Sequence, residues 1–326
     1  MNILILSCGT RNKIVRYFKR ELNGKGKVIA ADCWELAPAL YEADVHYVVP
    51  RITEEGYIDV ILEICRKEQV KGLFSLIDPE LSLLAQHKER FQEAGAMVFV
   101  SDYNAVTCCF DKGRMFDFCM QNHIHTVPTY KNFREFSEAY KEDKIQFPVF
   151  VKPINGSCSM QIQRVDDMET LEPLCKREPG LMIQKWMTGQ EYGVDVYTDM
   201  ITKEVVSIFI KKKLLMRAGE TDKSVSVVRQ DIFQFIKHFA EALGTVGQID
   251  IDLFEQDGEL YISEVNPRFG GGYPHAYECG VNFPAMMIKN LKNEKNEPLI
   301  GGYKEDIYMM KYLDVKIVDE QKQVLS

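Results

Sequence analysis

The stretch from Gln248 to Arg268 carries Asp250, Asp252, Glu264 and Asn266 on two runs that alternate polar with apolar residues. Asp257-Gly258 between the runs is a turn signal, so the stretch reads as an antiparallel hairpin. With a three-residue loop, Gln256-Asp257-Gly258, and Gly258 left-handed, Asp250 lies opposite Glu264 and Gln248 opposite Asn266. Ile249 and Ile251 then face Val265 and Ser263. Opposed side chains sit ~4.5–5.5 Å apart at Cβ, so two carboxylates and an amide oxygen converge with no basic residue among them. That donor set suits Mg²⁺ (or Mn²⁺), which takes one or two carboxylates plus phosphate oxygens. Asp250, Glu264 and Asn266 are therefore the candidate metal ligands, and Asp252, opposite Ile262 in this register, a supporting carboxylate. A two-residue loop would instead set Asp250 and Glu264 on opposite faces, leaving a hairpin whose polar side meets water. Pro267-Arg268-Phe-Gly-Gly-Gly272 follows, an arginine and three glycines where backbone must approach something closely.

A second set of residues suits phosphate. Lys152 closes an apolar strand, 147–152, and precedes Pro153 and a loop of small residues at 155–159. A lysine beside such backbone can hold a polyphosphate, with Ser157 and Ser159 adding N–H and hydroxyl donors. The alternative is an exposed lysine at a strand end. Gln184-Lys185-Trp186-Met187, followed by Gly189-Gln190-Glu191, reads as a strand whose backbone could bond an adenine edge while Glu191 accepts from ribose hydroxyls. Taken singly, each of these is an ordinary strand residue.

The elements that must position them fall into two kinds. Over the first hundred residues, strands at 2–7, 28–31, 46–49, 72–76 and 97–100 alternate with helices at 11–22, 58–68 and 80–93. That rhythm predicts a parallel sheet with covered faces. Ser7-Cys8-Gly9-Thr10 ends the first strand, where such a sheet can bind a ligand, but it lacks the spacing of a dinucleotide fingerprint. A second unit begins near residue 105. A helix opens at Asp111-Lys112, strands follow at 147–152, 160–165, 181–186, 192–197 and 205–210, and the basic stretch 211–223 reads as a loop. Residues 231–243 form a helix with apolar residues at 232, 236, 239, 240 and 243, closed by Gly244.

Composition narrows the class. With 326 residues, 46% hydrophobic and 27% charged, the chain has room for two or three cores. A net charge of −8 argues against nucleic-acid partners, which need basic surface. No apolar run reaches the ~18 residues of a membrane span, so the expectation is a cytoplasmic protein without a membrane partner. Nine scattered cysteines without a Cys-x-x-Cys pair point to reduced thiols.

The order of these pieces is more specific than any one of them. Asp111-Lys112, Phe150-Val-Lys152-Pro, the Ser/Gly loop, Ile183 to Glu191, and Asp250 with Glu264-Val-Asn266-Pro-Arg268 together resemble the ATP-grasp superfamily over residues 105 to 300. Gly219-Glu220-Thr221 after a basic stretch is similar to the carbamoyl-phosphate synthase large-subunit-like, carboxylate–amine ligase group. The resemblance implies an α/β fold: a Rossmann-like, pre-ATP-grasp domain (1–104) followed by a two-lobed α+β ATP-grasp domain, small lobe 105–184 and large lobe 185–326. It also implies ATP and Mg²⁺ as cofactors. Lys112 and Lys152 would contact phosphates, beneath the 155–159 loop. Lys185 and Met187 would read adenine, with Gln184 and Trp186 beside the ring and Glu191 on the ribose. Asp250, Glu264 and Asn266 would hold the metal, and Arg268 would stabilise the transferring phosphoryl group. Arg217 and Glu220 fall in the substrate loop. The implied reaction is a ligase's: a small-molecule carboxylate is activated for attack by an amine, in a homodimer or with a partner subunit. Full carbamoyl-phosphate synthesis uses two ATP-grasp units in one chain. With one unit here, activation of bicarbonate would need a partner, and a non-catalytic ATP-binding protein is the remaining alternative.

Overall fold

A computed structural model describes residues 1–154 and 163–325. The first sheet is parallel and ordered β3-β2-β1-β4-β5, from β1 (Asn2–Leu6), β2 (Val28–Asp32), β3 (Val45–Val48), β4 (Val70–Ser75) and β5 (Met97–Val98). Its central strands are near-continuous apolar runs because both faces are covered. The cover comes from α1 (Asn12–Leu22), α2 (Tyr57–Lys67), α3 (Asp78–Gln86) and α4 (Lys88–Glu93). The single helix expected over 80–93 is thus two, broken at His87, which leaves helical geometry at φ −108°.

Next come α5 (Tyr103–Phe110) and α6 (Lys112–Gln121). Asp111 caps α6 by accepting from the N–H groups of Gly113 and Arg114, which fixes the start of that helix and with it Lys112. A four-stranded sheet, ordered β6-β9-β7-β8, is built from β6 (Thr129–Tyr130), β7 (Val149–Pro153), β8 (Gln163–Val165) and β9 (Leu181–Lys185). It packs on α7 (Phe133–Lys141) and α8 (Met168–Arg177) through Phe136, Val149, Val151, Leu171 and Ile183. Most of the strand expected at 160–165 lies outside the described residues.

The third sheet is antiparallel and ordered β14-β13-β10-β11-β12-β15. Its strands are β10 (Gln190–Thr198), β11 (Val205–Arg217), β12 (Glu220–Val227), β13 (Gly247–Gln256), β14 (Glu259–Asn266) and β15 (Tyr308–Met310). Helix α9 (Gln230–Leu243) covers one face, with Ile232, Ile236 and Phe239 against Val194, Val196, Ile208, Ile210, Ile249 and Ile251. Alternation then sends Glu191, Asp195, Lys211, Lys213, Asp250 and Asp252 to the other face. The basic stretch 211–223, expected as a loop, is instead a hairpin that turns at Ala218 and Gly219, both at positive φ. Lys211 and Lys213 pair with acids across the sheet, so part of a run of charge that looked solvated is laddered. Two helices, α10 (Tyr273–Glu278) and α11 (Phe283–Leu291), return to the first sheet. There Phe269, Tyr273 and Phe283 share one core with Ile3, Ile5, Phe18 and Phe74.

Candidate active site

The carboxylates converge, in a different register from the expected one. Asp252 pairs with Glu264 and Asp250 with Asn266, rather than Asp250 with Glu264 and Gln248 with Asn266. Two departures add up to this. The hairpin closes on a two-residue loop, Gln256 pairing with Glu259 around Asp257 (φ 56°) and Gly258 (φ 83°), the geometry of a tight hairpin turn. That alone would have put Asp250 and Glu264 on opposite faces. A bulge then intervenes: Leu253 pairs with Ile262 but Asp252 with Glu264, leaving Ser263 unpaired. The extra residue restores the parity. Asp250, Asp252, Glu264 and Asn266 therefore share a face, with Asp252 and not Asp250 beside Glu264.

Cations answer them from the same sheet and across the cleft. Lys213, almost wholly buried, reaches Asp252 at 2.6 Å and Glu191 at 2.8 Å. Lys211, fully buried, bonds Asp195 and lies 3.9 Å from Asp250. Gly193, between these strands, leaves room for both lysines; a Cβ there would come 2.9 Å from the Lys211 side chain. Burial pushes the Asp195 carboxyl up, against the pull of Lys211. None of Lys211, Lys213 and Asp195 was expected at the site. Their sequence signal is a lysine at alternate positions of β11, each facing an acid of a neighbouring strand.

The nucleotide-side candidates come from the small sheet and α6. Lys152 is 5% exposed; burial pulls its ammonium down to about 8, while Glu264 pulls it up and Lys112 down. Lys112 stands 3.7 Å from Glu264, and its backbone N–H donates to Ile154 O at the end of β7. Gln184 is buried and donates to Thr129 Oγ1 at 2.7 Å. The Lys185 N–H already donates to Pro128 O, whereas the Met187 N–H bonds to no group among the described residues. Trp186 packs on Phe150, ring centroids 5.7 Å apart, and the Arg164 guanidinium stands 5.2 Å from the Trp186 ring centroid. Burial raises the Glu191 carboxyl against the pull of Lys213. Ser157 and Ser159 lie outside the described residues.

Arg268 is held from two sides. Asp78, at the start of α3, accepts from its Nη2 at 3.0 Å and its Nε at 3.3 Å, and Asp250 lies 3.7 Å from Nη1. Asp78 Oδ1 is buried and bonds to no described group. Asp78, Leu81, Cys109, Lys112, Glu264 and Asn266 line an open pocket between α3, α5, the start of α6 and β14. The glycines after Arg268 have definite neighbours: a Cβ on Gly270 would sit 2.3 Å from Asp250, on Gly271 2.6 Å from Arg11, and on Gly272 2.7 Å from Lys211. Of the two candidates from the expected loop, Glu220 pairs with Arg11 and Lys311. Arg217 is exposed and pairs with Asp222, at 3.4 Å.

No group of three or more His, Cys, Asp or Glu side chains among the described residues is arranged to hold a metal ion. Two carboxylates and an amide on adjacent strands are instead the donor set of an ion that brings phosphate oxygens with it. The residues present fit magnesium bound together with a nucleotide.

Two family models match the chain: one described as a PylC-like N-terminal domain, at residues 3–99, and one described as ATP-grasp in the biosynthetic pathway with Ter operon, at residues 177–313. The carbamoyl phosphate synthase large chain of Clostridium beijerinckii is 28% identical over 285 residues, 82% of this chain and 25% of that protein. This chain thus spans about a quarter of the length of such relatives. The D-alanine–D-alanine ligase of Francisella philomiragia is 24% identical over 243 residues, 68% of this chain and 81% of that one. The biotin carboxylase domain of the Hydrogenobacter thermophilus 2-oxoglutarate carboxylase, solved with MgADP, ADP and bicarbonate, shares the fold. Its TM-score is 0.77 at 16% identity, covering 94% of this chain and 73% of that one. The chain thus joins a PylC-like N-terminal domain at residues 3–99 to an ATP-grasp domain at residues 177–313.

Proposed function

We propose that this protein is an ATP- and Mg²⁺-dependent ligase that activates a carboxylate as an acyl-phosphate for attack by an amine or similar nucleophile. The observation that carries the reading is the facing of two charge sets across one cleft. Asp252, Glu264 and Asn266 line the large sheet, Lys152 and Lys112 stand opposite, and Arg268 lies beside them. Lys152 and Lys112 bind the phosphates, the Met187 N–H and the segment 185–191 that joins β9 to β10 bind the base and ribose, and Trp186 packs beside the ring. Asp252, Glu264 and Asn266 would hold the metal, with Asp250 placed between Arg268 and Lys211 as their counter-charge. When bound, magnesium supplies neutralisation of charge on the phosphate oxygens. In the reaction, a substrate carboxylate oxygen attacks the γ-phosphorus and the bond to the β-phosphate oxygen breaks, releasing ADP. The amine then adds to the acyl carbon, phosphate leaves with the former carboxylate oxygen, and the proton lost from the amine nitrogen passes to the departing phosphate or to solvent. Arg268 steadies charge as it develops. Positioning and electrostatics carry this chemistry, so a nucleophile–base pair is not required.

A second reading, activation of bicarbonate to carboxyphosphate with a partner subunit, is favoured by the likeness to carbamoyl phosphate synthase large chains over 82% of this chain. Screening acids and amines for stimulated ADP release, with hydroxylamine present to trap the acyl-phosphate as a hydroxamate, separates the two. An organic acid that supports both ADP release and hydroxamate formation is the expected result. Stimulation by bicarbonate alone would favour the second reading, and no ATP binding at all would defeat both.

A further inference from the structure

We propose that Arg11 and Lys311, joined through Glu220, bind a second anionic group on the substrate, which makes that substrate a dicarboxylate or an acid of equal charge. The inference rests on the carboxylate-activating reading and names the class of acid it takes. Arg11 lies just past the carboxyl end of β1, where Gly9 turns the chain at φ +48°. The carboxyl edge of an open parallel sheet is where such sheets meet ligands. The Arg11 Nη2 is 2.8 Å from Glu220 Oε1 and the Lys311 Nζ 2.6 Å from Glu220 Oε2. Three separate segments thus meet: the turn before α1, the start of β12, and the chain just after β15. Burial acts to raise the Glu220 carboxyl, but Arg11 and Lys311 outweigh it and hold it below its ordinary value. The carboxylate is therefore ionised, and two cations share one negative charge.

That surplus is accessible. The side chains of Arg11, Glu220 and Lys311 are 24%, 44% and 28% exposed, whereas the counter-charged Lys211 and Lys213 are at 1% and 4%. A salt bridge serving only to join the domains needs one cation. The neighbouring Arg217 adds nothing to the balance, being answered by Asp222. The glycine turn places this cluster relative to the reacting centre. Gly270 packs on Asp250, the partner of Arg268, and the next residue, Gly271, packs on both Arg11 and Glu220. Gly270 and Gly271 are adjacent residues, so one short run of backbone touches both Asp250, which faces Arg268, and Arg11. A short diacid activated beside Arg268 can therefore lay its distal carboxylate against Arg11 and Lys311. Because the site has a net positive charge, an uncharged substituent there would leave a cation without its ligand, at a loss of roughly tenfold or more in affinity.

The test is ADP release by the full chain with ATP, Mg²⁺ and an amine, using matched acids: succinate against butyrate, glutarate against valerate, aspartate against alanine. The expected result is a diacid whose kcat/KM exceeds its monoacid's at least tenfold. R11Q and K311Q should each reduce that ratio toward one by raising the KM for the diacid while the KM for ATP stays within about twofold, and R11K should recover part of it. Should one variant fail to fold, the other and R11K still decide. Equal use of monoacids by the wild-type protein, or an undiminished preference in both R11Q and K311Q, would overturn the proposal and leave the ligase reading standing. ADP release with no acid of any kind would overturn the ligase reading and this one with it.

Discussion

Lys152 couples charge to pH more directly than any other residue of the cleft. Burial holds its ammonium near 8, so above that pH the lysine must take up a proton before it can meet a phosphate. ATP affinity should therefore be flat below pH 8 and fall as pH rises beyond it, approaching tenfold per unit. Calorimetry between pH 7 and 9.5 measures this, and Lys152→Arg, charged throughout, should flatten the profile; a steep profile retained in that variant would remove Lys152 from the phosphate site. The acids separate at the same scale. Asp252→Asn should raise the Mg²⁺ needed for half-maximal turnover about tenfold or more. Asp250→Asn should lower kcat with a smaller change in that requirement, since Asp250 faces Arg268 and Lys211. The opposite ranking would return Asp250 to the metal. Residue types were readable here: Glu264, Asn266, Arg268 and Lys152 stand out in the chain before any coordinates. Which aspartate neighbours Glu264 was not, because that depends on the loop length and on one unpaired residue, Ser263, that no alternation pattern announces.

Among the elements, the β13–β14 hairpin and the glycine turn after it set the geometry. Gly270 is there because Asp250 occupies the space of its missing side chain. Gly270→Ala should displace Asp250 or the turn, costing about 1–3 kcal/mol in stability and a larger share of kcat than of ATP affinity. Urea denaturation beside steady-state kinetics would show it, and a variant with wild-type stability and turnover would mean the turn is looser than its packing implies. The strands of the first sheet and helix α9 were legible because apolar periodicity matches their buried faces. The β11–β12 hairpin was not, since Lys211 and Lys213 read as solvated until Asp195, Glu191 and Asp252 are seen across the sheet.

The whole molecule joins its first domain to the large lobe through shared core and shared charge. Tyr17 stacks on Tyr277 at 3.6 Å between ring centroids and bonds Glu278, and Phe18 and Phe74 pack against Phe269. Arg268–Asp78 and Arg11–Glu220 cross the same boundary at the cleft. Unfolding by urea should therefore show these two parts melting together, with tyrosine fluorescence and far-ultraviolet circular dichroism giving coincident midpoints. Separate transitions would show that the boundary contributes little. This boundary was invisible in the sequence, because Tyr17 and Tyr277 sit 260 residues apart in the chain and no local pattern pairs them. The central claim concerns a single oxygen atom. With the acid that stimulates ADP release, labelled with ¹⁸O in its carboxylate, mass spectrometry of the inorganic phosphate should find one ¹⁸O per turnover, carried over from the acyl-phosphate. Unlabelled phosphate, or ¹⁸O appearing in AMP beside pyrophosphate, would contradict it.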